Sequence, residues 1–174
     1  MTSISTAPTL PTTGNYRIDP ARTTLAFTIK HMFGFGTVHG TIAVHSGELR
    51  AGASPADLHV EAVLDVTSFA SGNAKRDKDV ASAKFLDATA SPQMLFRATG
   101  AQAVDGAWQL AGTLTVKGVD GPVDLRVDRV DVAGAQVTMH ASADIDRYAM
   151  GVTQGKGMVG RRLQVDLTAV AVPS

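Results

Sequence analysis

Leu58-His59-Val60-Glu61-Ala62-Val63-Leu64-Asp65-Val66-Thr67 is the stretch on which the fold turns. Leu58, Val60, Ala62, Leu64 and Val66 fall on one side of an extended backbone, and His59, Glu61, Asp65 and Thr67 on the other. Successive side chains of a strand point to opposite faces, so this period of two is the signature of a strand with one face in a core. A slip of one residue would carry the polar set into that core, and the pattern therefore fixes the register.

The same period recurs on either side. Upstream, Leu25, Phe27, Ile29 and His31 alternate with Thr24, Ala26, Thr28 and Lys30. After Phe33-Gly34-Phe35-Gly36, the residues Val38, Gly40, Ile42 and Val44 alternate with Thr37, His39, Thr41 and His45, and Gly47 ends the run. These two segments read as a hairpin. Downstream, strands are predicted over residues 94–99, 108–117, 123–132, 135–145 and 163–172. Asp105-Gly106 and Asp120-Gly121 lie between such runs, where a tight hairpin needs the positive φ that Asp and Gly tolerate. One segment breaks the period: Asn73 is a helix cap, and residues 73–84 read as a short helix with Val80 and Ala83 facing inward.

About eight strands with short turns and a single helix describe an up-and-down barrel or a two-sheet sandwich. The later strands are about ten residues long, and closing the sheet removes the edges such strands would expose. The expected fold is all-β, an antiparallel β-barrel of about eight strands with one short helix.

Composition bounds the function. A chain of 174 residues with 44% hydrophobic types fits one domain with a full core. Residues 1–14, rich in Ser, Thr and Pro, lack the basic start and apolar run of a secretory signal, and read as a disordered tail before a domain over 15–174. Without a signal, and without a run near the roughly 20 apolar residues that cross a bilayer, a cytoplasmic location is expected. Lys plus Arg and Asp plus Glu both number 16, so no long-range field draws nucleic acid. The absence of cysteine excludes disulfides, thiolate nucleophiles and sulfur-ligated metals.

Barrels of this size either fill with side chains or hold one small ligand. Inward positions here include Gly40, Ala62, Ala98, Gly112, Ala141, Ala143 and Ala169, and aromatics are only 5% of the chain. Close packing does not tolerate the empty space such residues leave. An apolar ligand is therefore expected, lined by Leu25, Phe27, Ile29, His31, Val38, Ile42, Leu64, Phe85, Phe96, Leu114, Met139 and Leu163. Each methylene it buries is worth about 0.8 kcal/mol. The alternative is a barrel flattened until Val and Leu touch across it.

Among polar residues His31 stands out, in phase with Leu25, Phe27 and Ile29, and is expected near the barrel mouth. It is either satisfied by a carbonyl or a Ser, or it meets a ligand headgroup. His39, His45, His59 and His140 point outward and give no metal site. Glu61 and Asp65 share a solvated face, and Ser68 and Ser71 lack identifiable His and Asp partners, so no catalytic residue is assigned. Gly155-Lys156-Gly157 joins strands and reads as a mobile loop. Arg76-Asp77 at the helix start, and Asp146-Arg147 with a salt bridge across the rim, read as structural.

Several short motifs occur in order: Tyr16-Arg17-Ile18-Asp19-Pro20, Phe27-Thr28-Ile29-Lys30-His31, Gly72 through Arg76-Asp77, Lys84-Phe85-Leu86-Asp87, Gly112-Thr113-Leu114-Thr115-Val116-Lys117-Gly118 and Asp146-Arg147-Tyr148-Ala149-Met150-Gly151. As an ordered set over residues 16–172 they resemble the YceI-like polyisoprenoid-binding proteins of bacteria. The resemblance implies a lipocalin-like barrel, often a homodimer, that encloses an isoprenoid quinone, a polyprenyl phosphate or a fatty-acid derivative, with no catalytic activity and no cofactor besides that lipid. Many such proteins are periplasmic, and the missing signal departs from them. The family motif carries Phe where this chain has Ala149, which implies a locally wider pocket. Two other classes compete: an enzyme acting on a lipid or small acid through His31 and a nearby carboxylate, and an interaction module with a collapsed interior.

Overall fold

The computed structural model describes residues 6–31 and 36–174. Its strands are β1 (Gly14–Ile18), β2 (Thr24–His31), β3 (Gly36–Ala51), β4 (His59–Ala70), β5 (Gln93–Thr99), β6 (Gln102–Val104), β7 (Ala107–Val116), β8 (Val119–Ala133), β9 (Gln136–Asp146) and β10 (Val159–Pro173), with one α-helix, α1 (Ala74–Ala81), between β4 and β5. Every pairing is antiparallel. The order β2-β3-β4-β5-β7-β8-β9-β10 closes on itself, because β10 pairs with both β9 and β2. Eight strands thus form a barrel, and β6 adds a short flap on β7. Among the described residues, no helix is long and apolar enough to cross a membrane.

The added strand β1 shares a place in the wall with β2. Both lie between β10 and β3, β1 opposite residues 171–173 and 48–51 and β2 beyond them. A single turn of 3₁₀ helix over Pro20–Arg22 separates them, capped by Asp19, whose Oδ1 accepts from the Ala21 amide at 3.0 Å. Proline supplies no amide hydrogen, so the strand must break there and resume. Residues 6–13, expected as a loose tail, carry no helix or strand but are tied to the barrel. The Trp108 indole N–H donates to the Pro8 carbonyl at 2.5 Å, and the Tyr16 hydroxyl donates to the Thr12 carbonyl at 2.8 Å.

Three boundaries differ from the sequence expectation. The run in β3 continues past Gly47 to Ala51, because a bulge between Val44 and Ser46 shifts the register against β4. The buried set changes from Val38, Gly40, Ile42 and Val44 to Leu49 and Ala51 across it. An extra residue flips the phase of everything downstream, which looks like the end of a strand in a search for strict alternation. Asp120-Gly121 is not a turn: it lies within β8, opposite Thr115 and Leu114. The hairpin is made by Lys117-Gly118 at φ +52° and +76°, the double positive φ of a tight two-residue loop. Asp105-Gly106, at +49° and +76°, does turn as expected. In the helix segment Asn73 caps as expected, its Oδ1 accepting from the Arg76 amide at 3.0 Å, but α1 ends at Ala81 and Ala83 is exposed.

Candidate functional site: an apolar cavity in one half of the barrel

Two apolar clusters fill the interior at opposite ends. One gathers Tyr16, Leu49, Leu58, Leu110, Val127 and Val137, with Trp108 packed against it, and closes the barrel. The other gathers Phe27, Ile42, Leu64, Met94, Leu114 and Met150. These side chains line a cavity of about 470 Å³ rather than meeting across it. The size falls within the range of small-molecule sites. Its floor is Val60, Phe96, Leu125 and Leu167, which also pack on the closed-end cluster. Its other end is covered in part by α1 and the following segment, which contribute Arg76, Asp79, Val80, Phe85 and Leu86. The loop before β10 adds Val152 and Met158, the latter 52% exposed.

Leu25, Phe27, Ile29, Val38, Ile42, Leu64, Phe85, Phe96, Leu114 and Leu163 all line this cavity. Met139 does not. It packs against the closed-end cluster, because β9 runs from the closed end to the open one and Met139 sits near its start. The backbone of His31 ends β2, paired with Gly36 and Val159, and its side chain lies outside the described residues. The small inward residues divide as well. Ala62, Ala143 and Ala169 border the cavity, while Ala98 and Ala141 belong to the closed end.

Gly40 and Gly112 leave no cavity. A Cβ on Gly40 would stand 2.3 Å from the Phe27 ring, and one on Gly112 would stand 2.4 Å from Phe96. Each glycine lets an aromatic ring from the neighbouring strand lie flat against the wall. Phe27 also stacks on Phe69, with ring centroids 5.0 Å apart. Ala149 is exposed, so its small side chain does not widen the pocket.

The polar frame of the open end is built around the segment after β9. Arg147 is only 6% exposed, yet it has no carboxylate partner among the described residues. Its guanidinium donates to four backbone carbonyls: Gly160 at 2.8 Å, Val152 at 2.9 Å, Gln154 at 2.7 Å and Val159 at 3.1 Å. The loop holding Gly155-Lys156-Gly157, expected to be mobile, is thereby stapled to its own base. Burial lowers the Arg147 pKa from the usual guanidinium value, but a group that starts so high keeps its charge. The expected salt bridge belongs to Asp146 instead, which receives both donors of Arg161 at 2.9 and 2.7 Å. That pair holds the Asp146 carboxyl down to about 2. Arg147, Arg161 and Lys156 lie 5.0, 4.9 and 5.3 Å from the centre of the Tyr148 ring, a cation–π cluster on the rim. Lys117 reaches across from the β7–β8 turn and donates to the carbonyls of Ala83 and Phe85, fixing the segment after α1.

The remaining polar candidates are occupied structurally. Asp77 Oδ1 accepts from both the amide and the hydroxyl of Ser71, at 2.9 and 2.6 Å. The Ser68 hydroxyl receives the Ala43 amide and donates to the Asp65 carbonyl. Residues that period-two reasoning missed, such as Arg147, Met150, Val152 and Met158, come from turns and loops where no alternation exists to reveal an inward face. The place of Arg76 in the lining is equally hidden from the sequence, since a short helix meets the cavity by packing rather than by pattern.

Comparison with known proteins gives one consistent picture. Residues 16–171 match the family described as YceI-like domain. A UPF0312 protein of Pseudomonas putida is 27% identical over 151 residues, covering 83% of this chain and 78% of that protein. One of Vibrio campbellii is 31% identical over 138 residues, covering 74% and 71%. Among solved structures, BcnA of Burkholderia cenocepacia superposes with a TM-score of 0.76 at 24% identity, over 89% of this chain and 99% of that one. A polyisoprenoid binding domain from Saccharophagus degradans gives 0.71 at 13% identity, over 91% and 98%. At these identities the structural likeness shows the fold.

Proposed function

The chain belongs to the YceI-like family, and from that premise we propose that it binds a long apolar ligand inside the barrel and carries or sequesters it, without catalysing a reaction. The observation that carries this reading is the cavity of about 470 Å³ with an almost wholly aliphatic and aromatic lining. A void of that size in a water-soluble wall costs dispersion contacts on every side, and an oily chain restores them. Burying the chain itself contributes about 0.8 kcal/mol per methylene. The domain from Saccharophagus degradans described as polyisoprenoid binding has the same fold, which makes isoprenoid and acyl chains the classes to test.

The polar lining supports binding over catalysis. Its members are Thr23, Arg76, Asp79 and Arg147. The Thr23 hydroxyl accepts from the Val170 amide, and Arg147 is committed to carbonyls. Among the described residues they present no nucleophile beside a base, the pairing that covalent or general-base chemistry needs. Organic extraction of the freshly purified protein, followed by mass spectrometry, tests the reading. One prenyl or acyl chain per barrel is expected; an extract free of both, together with no uptake of either class by the emptied protein, would overturn it.

A further inference from the structure

Two guanidinium groups line the cavity, and they differ in what they hold. Arg147 spends four of its donors on backbone carbonyls. Arg76, half-buried on the cavity side of α1, has no hydrogen bond or ion pair from its guanidinium among the described residues. Its acidic neighbours do not neutralise it. Asp77 is turned to Ser71, and Asp79, one turn away at the rim, is exposed and forms no ion pair with it. A cavity-lining guanidinium whose donors are not already taken is a ready partner for an anionic oxygen group, and such charge-assisted hydrogen bonds are the strong ones. The depth available to a chain is also fixed, because Val60, Phe96, Leu125 and Leu167 form a floor backed by the solid cluster beneath.

We propose that the occupant is a single-chain amphiphile with an anionic oxygen headgroup, a carboxylate or a phosphate monoester, which sits on Arg76 while its chain runs down to the Phe96–Leu125 floor. This rests on the reading of the barrel as an apolar-ligand binder and narrows it to a class. Arg76 sets the headgroup, and the closed half of the barrel sets the chain length. Asp79 then opposes the headgroup mildly from the solvent side.

Calorimetric titration of the delipidated full-length protein tests both parts. Hexadecanoic acid and hexadecyl phosphate are each compared with hexadecan-1-ol, and saturated acids from dodecanoic to docosanoic are compared with one another. An anion is expected to bind about tenfold to a hundredfold more tightly than the alcohol, and the tighter of the two anions identifies the headgroup. Affinity is expected to rise about fourfold per methylene until the chain reaches the floor, and to level off within the series. Arg76→Gln is expected to erase the preference for the anion, read as the ratio of acid to alcohol affinity within the same variant, and Asp79→Asn to tighten anion binding by a few-fold. Equal affinity for acid and alcohol in the unaltered protein would overturn the headgroup assignment, with no variant needed. So would a preference that survives Arg76→Gln. Affinity still climbing steeply through docosanoic acid would overturn the floor. In each of these cases apolar binding itself stands; only failure of every acid, phosphate and alcohol to bind would fell the broader reading as well.

Discussion

The two halves of this barrel are built from the same strands and packed in opposite ways. At the closed end, Leu49 and Leu110 are each 2% exposed and meet Tyr16, Leu58 and Val137 across the interior. At the open end, small residues such as Ala62 and Ala143 take their place among larger apolar ones, and the interior there is a cavity. Backbone geometry is shared, so the difference lies in side-chain volume and in what seals the end. Tyr16 and Trp108 anchor residues 6–13 across one end, while the other is roofed by a short helix and a stapled loop. A barrel can therefore be anchored by one half and left hollow in the other.

Truncation of a large side chain should expose this contrast most strongly. Leu49→Ala, which opens a new hole in a filled region, is expected to cost about 3–5 kcal/mol, read as a drop in the urea midpoint at constant slope. Arg147→Ala comes next, at roughly 3 kcal/mol, because the carbonyls it satisfies are stranded at the base of the 152–160 loop. Leu114→Ala borders space that already exists and is expected to cost about 2 kcal/mol, the low end for such a truncation; a loss matching that of Leu49→Ala would mean the open half is as tightly packed as the closed one. Ala143→Leu fills part of the void and should change stability by less than about 1 kcal/mol, yet reduce uptake of an apolar fluorescent probe at least about tenfold. The smallest effect concerns the rim. The hydrogen bonds from Arg161 hold the folded Asp146 carboxyl down to about 2 against an ordinary 3.8, so this pairing stabilises the fold above the ordinary value and is lost as pH falls through about 2. Asp146→Asn should therefore shrink the fall in Tm between those two pH values and leave Tm above them lower by a small margin.

The strands of the open half were legible because each has one face in the interior, and Phe27, Ile42, Leu64 and Leu114 all announced that face by alternation. The same rule failed where the chain departs from strict pairing. The bulge at His45-Ser46 disguised the second half of β3, and Pro20 hid the fact that β1 and β2 occupy one position. Met139 was in phase with an interior that, at its height along β9, is already full. Gly40 and Gly112 look like empty volume in the sequence, yet a neighbouring ring lies over each. Which ring covers which glycine is a property of cross-strand register and is absent from a single strand.

By itself the sequence determined that this chain rolls up as an antiparallel sheet with an apolar interior and one helix, because period-two alternation and turn residues act over neighbours a few positions apart. Tertiary structure alone decided where along the barrel the interior is hollow, which arginine is spent on carbonyls and which faces the cavity, and how the two ends are sealed. Volume and charge compensation depend on partners brought from distant strands and loops, and those partners meet only once the sheet has closed.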